Sequence, residues 1–404
     1  MPRGLRGFVQ FEAARTVADP NHWSKLRTRA EVGAQGRFSE AVRWRAGGRV
    51  DYDAVFHVTD FYPDAVRRDQ RFEAMLRENY LDFLGGDVEV RLGRQHIVWG
   101  EVVGLFFADV VSARDLREFI LPEFDVLRIP QWAVRAETFR NNVHAEVLWI
   151  PLPTFDEIGK PGGEFFPAVI PPPPGLATII EGDRRPARKL ENSNYGVRLS
   201  TLNAGWDLSA FYYGSMDATP AFYRRVVASP FPAYIYEPRH DRIHQVGGTL
   251  AKDFGSVVLK SEVVYTRGRR YPVARFLDED GMAKQNAIDW IVGLDFALPN
   301  DARLNLQAFQ RAFLNHDSDI IPDKHETGVS LLLAGKLANR LEAQVMLISS
   351  VNRTDWLLRP RLVWDFERNW RIVFGADIFE GSRFGLFGQY DNRDRVYTEV
   401  RFSF

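Results

Sequence analysis

Cysteine is absent from all 404 residues. That excludes disulfides, thiolate metal sites, cysteine nucleophiles and covalent haem attachment. It suits a chain that crosses an oxidising compartment without mispairing. No run of about 18 charge-free apolar residues occurs, so no transmembrane helix is expected. A surplus of either charge is also lacking: 52 Lys and Arg against 53 Asp and Glu leave a formal net charge of −1. Phosphate binding needs a net basic face, so no nucleic-acid partner is expected. Catalytic motifs are lacking as well: there is no GxSxG, HExxH or P-loop. His240 and His244 sit four apart at a strand end, where that spacing carries no helical metal-ligand geometry. No catalytic residue, metal site or cofactor is read, and the chain is not expected to be an enzyme. The start Met1-Pro2-Arg3-Gly4 is not a signal peptide. The chain is then either cytoplasmic or a mature form, and a leader in the precursor is expected if it forms an outer-membrane barrel.

What is present is alternation with period two, in long segments. Near the end of the chain Val396, Thr398, Val400, Phe402 and Phe404 share one face, and Tyr397, Glu399, Arg401 and Ser403 the other. Trp356, Leu358, Leu362, Trp364 and Phe366 oppose Arg359, Arg361, Asp365 and Glu367 in the same way. So do Trp44, Ala46, Val50 and Tyr52 against Arg43, Arg45, Arg49 and Asp51. Such segments are strands with one apolar and one charged face. Many run to about 10–14 residues, enough for a tilted strand to cross a bilayer. Aromatics gather near their ends, as girdles at the two interfaces require.

Tight turns rich in Gly, Asn, Asp and Pro alternate with long polar connections. The turns fall at residues 85–87, 141–142, 203–205, 254–256, 299–301, 338–340 and 367–369. The long connections lie near 55–71, 100–131, 155–189, 216–240, 267–285, 315–323 and 381–393. This describes an all-β protein: a transmembrane, antiparallel, up-and-down β-barrel of about 18 strands (16–18), with short periplasmic turns and long extracellular loops. Residues 1–404 form one barrel domain on this reading, with both termini on the short-turn side. A propeller would show a fixed internal repeat, and none is found.

If the apolar faces meet lipid, the charged faces line the lumen. The lumen candidates are Arg27, Arg29, Arg43, Arg45, Arg91, Arg135, Arg359, Arg361 and Arg401. One reading is a ladder of ion pairs with the interleaved carboxylates; the other is a field that selects an anionic or zwitterionic solute. Arg27, Arg29, Arg43 and Arg45 have few acids nearby in sequence and are the best local case for anion selectivity. The loop 100–131 carries Leu105, Phe106, Phe107, Val110 and Val111, too apolar for open water. It is expected to fold into or over the lumen, with Phe106, Phe107, Asp109, Arg114, Asp115 and Arg117 as constriction residues. The loop 155–189, with Pro171-Pro172-Pro173-Pro174, reads as a stiff surface spacer or a rim contact with a partner. Acidic stretches at Asp278-Glu279-Asp280 and at Asp317 and Asp319 read as solvated tips or as divalent-ion sites in a lipopolysaccharide layer.

Residues Leu92-Gly93-Arg94-Gln95, Trp99-Gly100-Glu101, Asp109-Val110-Val111-Ser112-Ala113-Arg114-Asp115-Leu116 and Ile129-Pro130 carry a resemblance. Over about 40 residues the segment resembles a family of proteobacterial outer-membrane barrels, catalogued as a domain of unknown function, number 1302. The resemblance implies an outer-membrane location and a role in the traffic of lipids or hydrophobic compounds. It brings no catalytic residues. Two functions are therefore carried forward. The first is a porin-like channel passing small, hydrophobic or anionic solutes through an Arg-rich lumen. The second is a non-conducting barrel that serves as an export outlet or as a scaffold for a partner protein or lipid-transport system. The other expected partners are outer-membrane lipid and lipopolysaccharide.

Overall fold

The computed structural model describes residues 4–100, 102, 108–228, 230, 232–276 and 278–404. Alternating sequence becomes a closed antiparallel barrel. Nineteen hydrogen-bonded segments make eighteen strands, because Phe72–Leu76 and Asn79–Gly85 are halves of one, both paired with Val42–Asp53. Between the halves Arg77 turns inward, and the Asn79 amide patches the ladder by bonding both the N–H and the C=O of Gly47. Closure comes from Arg6–Thr16 pairing with Arg395–Ser403, Phe8 opposite Ser403 and Thr16 opposite Arg395. No strand edge of the barrel is left open, as lipid requires.

The turns fall where Gly, Asn and Asp put them. Asn141 and Asn142 (φ 50° and 63°) and Asn300 and Asp301 (φ 60° and 58°) take the left-handed conformation that two-residue hairpins need. The chain's ends lie with these turns. Strands on the other side run longer than alternation indicated. Val257–Pro272 and Met282–Leu298 continue through residues read as the loop 267–285. The long connections also hold structure that the sequence did not announce. Short helices Val55–Val58 and Asp64–Gln70 lie in the first. The expected loop 216–240 is mostly a hairpin, Ala221–Val227 with Ala233–Arg239. Ala177–Ile180, from the proline-rich loop, adds to it in parallel.

Polarity is inverted relative to a water-soluble protein. Val9, Phe11, Val50, Val147, Val197, Val263, Leu362, Trp364 and Phe374 are exposed on the outer face. Gln10, Glu12, Arg29, Asp51, Glu146, Gln245, Asp289, Arg359 and Asp377 are buried on the inner one. A belt of apolar side chains this extensive is stable only against hydrocarbon. Val263, near the middle of its strand and 47% exposed, is the direct test. Val263→Arg should cost about 2–4 kcal/mol in reversible unfolding from lipid, whereas Val263→Leu should be near neutral. Equal stability of the two variants would contradict lipid contact there.

Candidate functional site

The segment after strand Val88–Gln95 enters the barrel. Trp99 starts it: its ring packs on Phe211 and Tyr213 of the inner wall, centroids 5.2 and 5.7 Å away, and its indole N–H donates to Glu146 at 2.8 Å. Gly196 makes this approach possible, since a Cβ there would lie 2.6 Å from the indole. The wall carboxylate of Glu262 accepts the N–H of Val102 (2.8 Å) and of Ala108 (2.9 Å). Ala108 and Val111 then join Leu148, Ile150, Phe211 and Val264 in one apolar cluster. Farther on, Ala113–Arg114 pairs with Arg128–Ile129, closing a hairpin within the loop.

The tip of that hairpin is clamped by charge. Glu118 takes Lys25 and Arg27 as direct partners and has Arg395 at 3.6 Å. Wall arginines also donate to loop carbonyls: Arg359 to Leu121 (2.8 Å), Arg49 to Val126 (3.3 Å), and Arg77 to Asp125 and Arg128 (3.0 Å to the latter). Phe119, at φ 53°, reverses the chain and packs with Phe165, Leu357, Phe379, Phe387 and Tyr390. The loop 155–189 is tied down from the other end. Glu164 accepts from Thr16 (2.8 Å) and Tyr62 (2.8 Å) and lies 2.9 Å from His22 Nε2, and Asp183 lies 3.0 Å from His240 Nε2. The proline run Pro171–Pro174 remains on the surface.

Two cavities flank the hairpin. One of about 560 Å³ lies toward the long loops, lined by Asp109, Arg114, Asp289, Phe309, Arg311 and Phe387 among others. One of about 300 Å³ lies toward the short turns, lined by Arg303, Lys336, Arg340, Arg361 and Arg371, with Glu123, Glu342 and Asp365.

Residues 14–297 match the family model described as "Protein of unknown function (DUF1302)". The chain belongs to the DUF1302 family. The motifs between Leu92 and Pro130 lie within that match. No curated protein matches the sequence. Solved structures share the barrel of this DUF1302 protein. OccAB1 of Acinetobacter baumannii gives a TM-score of 0.60 at 9% identity, over 99% of this chain and 95% of that one. OccAB3 of the same organism gives 0.57 at 10%, over 99% and 98%. OccK8 (OprE) of Pseudomonas aeruginosa gives 0.57 at 9%, over 99% and 97%. At such identity the likeness is one of fold.

In the DUF1302 barrel the sequence candidates divide. Arg27 and Arg29, two of the four arginines with few acids near them in sequence, face the lumen and are each paired with acids. Arg27 meets Glu118 and Asp53, and Arg29 bonds Asp51 at 2.9 and 3.0 Å and Glu12 at 3.3 Å. Their acids come from neighbouring strands and from the loop, where sequence proximity does not reveal them. Arg45 pairs with Glu78 at 3.0 Å, and Arg43 alone of the four has no ion pair among the described residues. Arg91 binds Asp82, Arg135 binds Glu137, and Arg359 binds Asp377 at 2.7 Å. Arg361 and Arg401 each lie 3.6 Å from Glu123 of the loop.

The loop candidates hold the loop's own shape. Asp109 receives Ser112 and Arg128 at 2.8 Å each, Arg114 donates to the Asp109 carbonyl at 2.8 Å, and Arg117 is bound to Asp115 and Glu73. Phe106 and Phe107 lie outside the described residues. Lys25, Arg77 and Arg395 were missed. Lys25 and Arg395 sit at inward positions of alternating strands, a signal that was available, but Arg77 sits in the strand break. The acidic stretches that read as solvated tips or as ion sites hold a cation of the chain: Arg275 binds Asp317 (2.8 Å), Asp319 (3.0 Å) and Asp278 (3.2 Å).

Burial alone would raise the loop carboxyls, but their cations outweigh it. Arg117 holds Asp115 at about 2, and Arg27, Lys25 and Arg395 hold Glu118 well below the usual carboxylate range. Both acids therefore stabilise the docked loop everywhere above their unfolded values. That contribution is lost only as pH falls through the lowered values. Docking should be constant between about pH 5 and pH 8 and fail only well below about pH 4. Single-channel conductance against pH checks this, and a transition near pH 6 would contradict it.

Proposed function

We propose that this DUF1302 protein is a porin-like channel of the outer membrane, with the hairpin around Glu118 as its constriction. The observation that carries the reading is the arrangement of two cavities on either side of one hairpin that is pinned to a polar wall. Such a wall solvates a passing solute, and a pinned loop sets the width without closing the barrel.

Selection is assigned to the turn-side cavity. Arg27 and Arg29 are neutralised, Arg27 by the loop's Glu118 and by Asp53, Arg29 by Asp51 and Glu12 of the wall. The turn-side lining presents five cations, Arg303, Lys336, Arg340, Arg361 and Arg371, against three acids, Glu123, Glu342 and Asp365; Asp301 also pairs with Lys336, and Arg340 has no ion pair among the described residues. The loop-side cavity adds apolar surface from Val110, Ile243, Phe309, Phe384 and Phe387. A small anion with an apolar body fits this sequence of surroundings best.

The experiment is conductance of the refolded chain in a planar bilayer under a salt gradient. Steady, anion-biased steps are expected. Arg361→Gln with Arg371→Gln should move the reversal potential toward zero. Glu118→Gln removes the charge that ties the hairpin tip to Lys25 and Arg27, which keep Glu12 and Asp53, and should give larger, noisier steps at little change in selectivity. Deleting 103–128 should enlarge the steps further. A folded but silent barrel would replace the channel by the alternative, a non-conducting barrel acting as an export outlet or scaffold.

A further inference from the structure

Three ligand-type side chains converge on the inner wall near the Asn141-Asn142 turn, away from the clamped tip of the loop. They come from strands Gln131–Arg140 and Val143–Leu152. One carboxylate oxygen each of Glu137 and Glu146 and one nitrogen of His144 all lie within 4.8 Å of one another. Glu137 and Glu146 stand directly opposite each other in the ladder. Like charges in that position repel, and Arg135 on Glu137 and Arg198, opposite Glu146 on the next strand, offset part of that cost.

Each of the three groups is oriented by a partner on its far side. Arg135 binds Oε1 of Glu137, leaving Oε2 toward the histidine, 3.0 Å from Nε2. Trp99 donates to Oε1 of Glu146 at 2.8 Å. Ser200 Oγ lies 3.3 Å from His144 Nδ1 on the opposite side of the ring, and the ring stacks on Phe139 with centroids 4.2 Å apart. Outer partners that fix a carboxylate and select an imidazole tautomer are what metal ligands characteristically have. With Ser200 accepting from Nδ1–H, Nε2 can exchange its hydrogen bond to Glu137 for a bond to a metal ion. Entry is provided for: His144 and Ser200 line an open cavity of about 680 Å³ at the turn end.

We propose that Glu137, His144 and Glu146 form a site for one divalent transition-metal ion, Zn²⁺ in the first instance. The imidazole decides the class. Hard cations such as Mg²⁺ and Ca²⁺ prefer all-oxygen sets, whereas zinc takes mixed nitrogen and oxygen donors with bonds of about 2.0–2.2 Å. Ligand atoms around such an ion stand about 3.3 Å apart. The His144–Glu137 edge is already near that value, and Glu146 needs only a side-chain adjustment. Solvent from the cavity supplies the remaining position. The ion would cancel the repulsion between the facing glutamates. This inference does not depend on the barrel conducting.

The test is equilibrium dialysis of the untagged, folded barrel against ZnCl₂, with metal counted per chain and folding checked by heat-modifiable electrophoretic mobility. Wild type should retain one tightly held equivalent that excess MgCl₂ does not displace. His144→Gln and Glu146→Gln should lose it while migrating as folded barrels. Trp99→Phe, which removes the outer partner of Glu146 and keeps a smaller ring against Phe211 and Tyr213, should weaken binding about tenfold or more in chains that migrate as folded barrels. Two results overturn the proposal: a wild-type chain that holds no more zinc than folded His144→Gln, or displacement of the zinc by equal MgCl₂.

Discussion

No backbone group can go unpaired in hydrocarbon, and in this chain the pairing of Arg6–Thr16 with Arg395–Ser403 is what meets that constraint. Closure abolishes the edges and divides each strand into a lipid side and a lumen side. The division forces Val, Leu and aromatic residues outward and sends Glu12, Lys25, Arg29, Asp51 and Asp377 inward. The crowded interior charges must then find each other, because removing a partner from a buried pair is far more costly than the pair itself is stabilising.

That requirement explains how a loop can lie inside a charged tube. Loop carbonyls at Leu121, Asp125, Val126 and Arg128 receive wall arginines, and Glu118 supplies the acid that Lys25 and Arg27 need. The loop and the wall complete one another, so the loop's position follows from the electrostatics of the lumen. Apolar contacts at its two shoulders, around Trp99 and around Phe119, hold it in register.

The barrel was legible because lipid imposes a period of two on every spanning segment, and Asn141-Asn142 or Asn300-Asp301 mark the turns without ambiguity. Alternation fades where strands leave the bilayer. At Arg267–Pro272 and Met282–Gln285 apolar and charged residues no longer alternate, so strand and loop look alike in sequence. The hairpin from Ala221 to Arg239 was hidden for the same reason. Which residues face the lumen could be read from parity. What they touch could not: Glu118 neutralises Lys25 and Arg27 from more than 90 positions away, and Arg27 and Arg29 have few acids near them in sequence because their acids lie on other strands. The convergence of Glu137, His144 and Glu146 was equally invisible, since it depends on cross-strand register rather than spacing.

Closure has a consequence in time as well as in space. The ladder that seals the barrel joins Phe8 to Ser403, opposite ends of the chain. Each doubling of a closed loop adds only about 0.6 kcal/mol of entropy, so the long separation hardly weakens the finished barrel. It does slow assembly, because topologies built from distant contacts form slowly. Until the two end strands meet, both present unpaired amides and carbonyls beside apolar side chains such as Phe11 and Val396, and such edges recruit other chains. The protein is thus most prone to aggregate during the interval before its last ladder forms, and hardly at all thereafter.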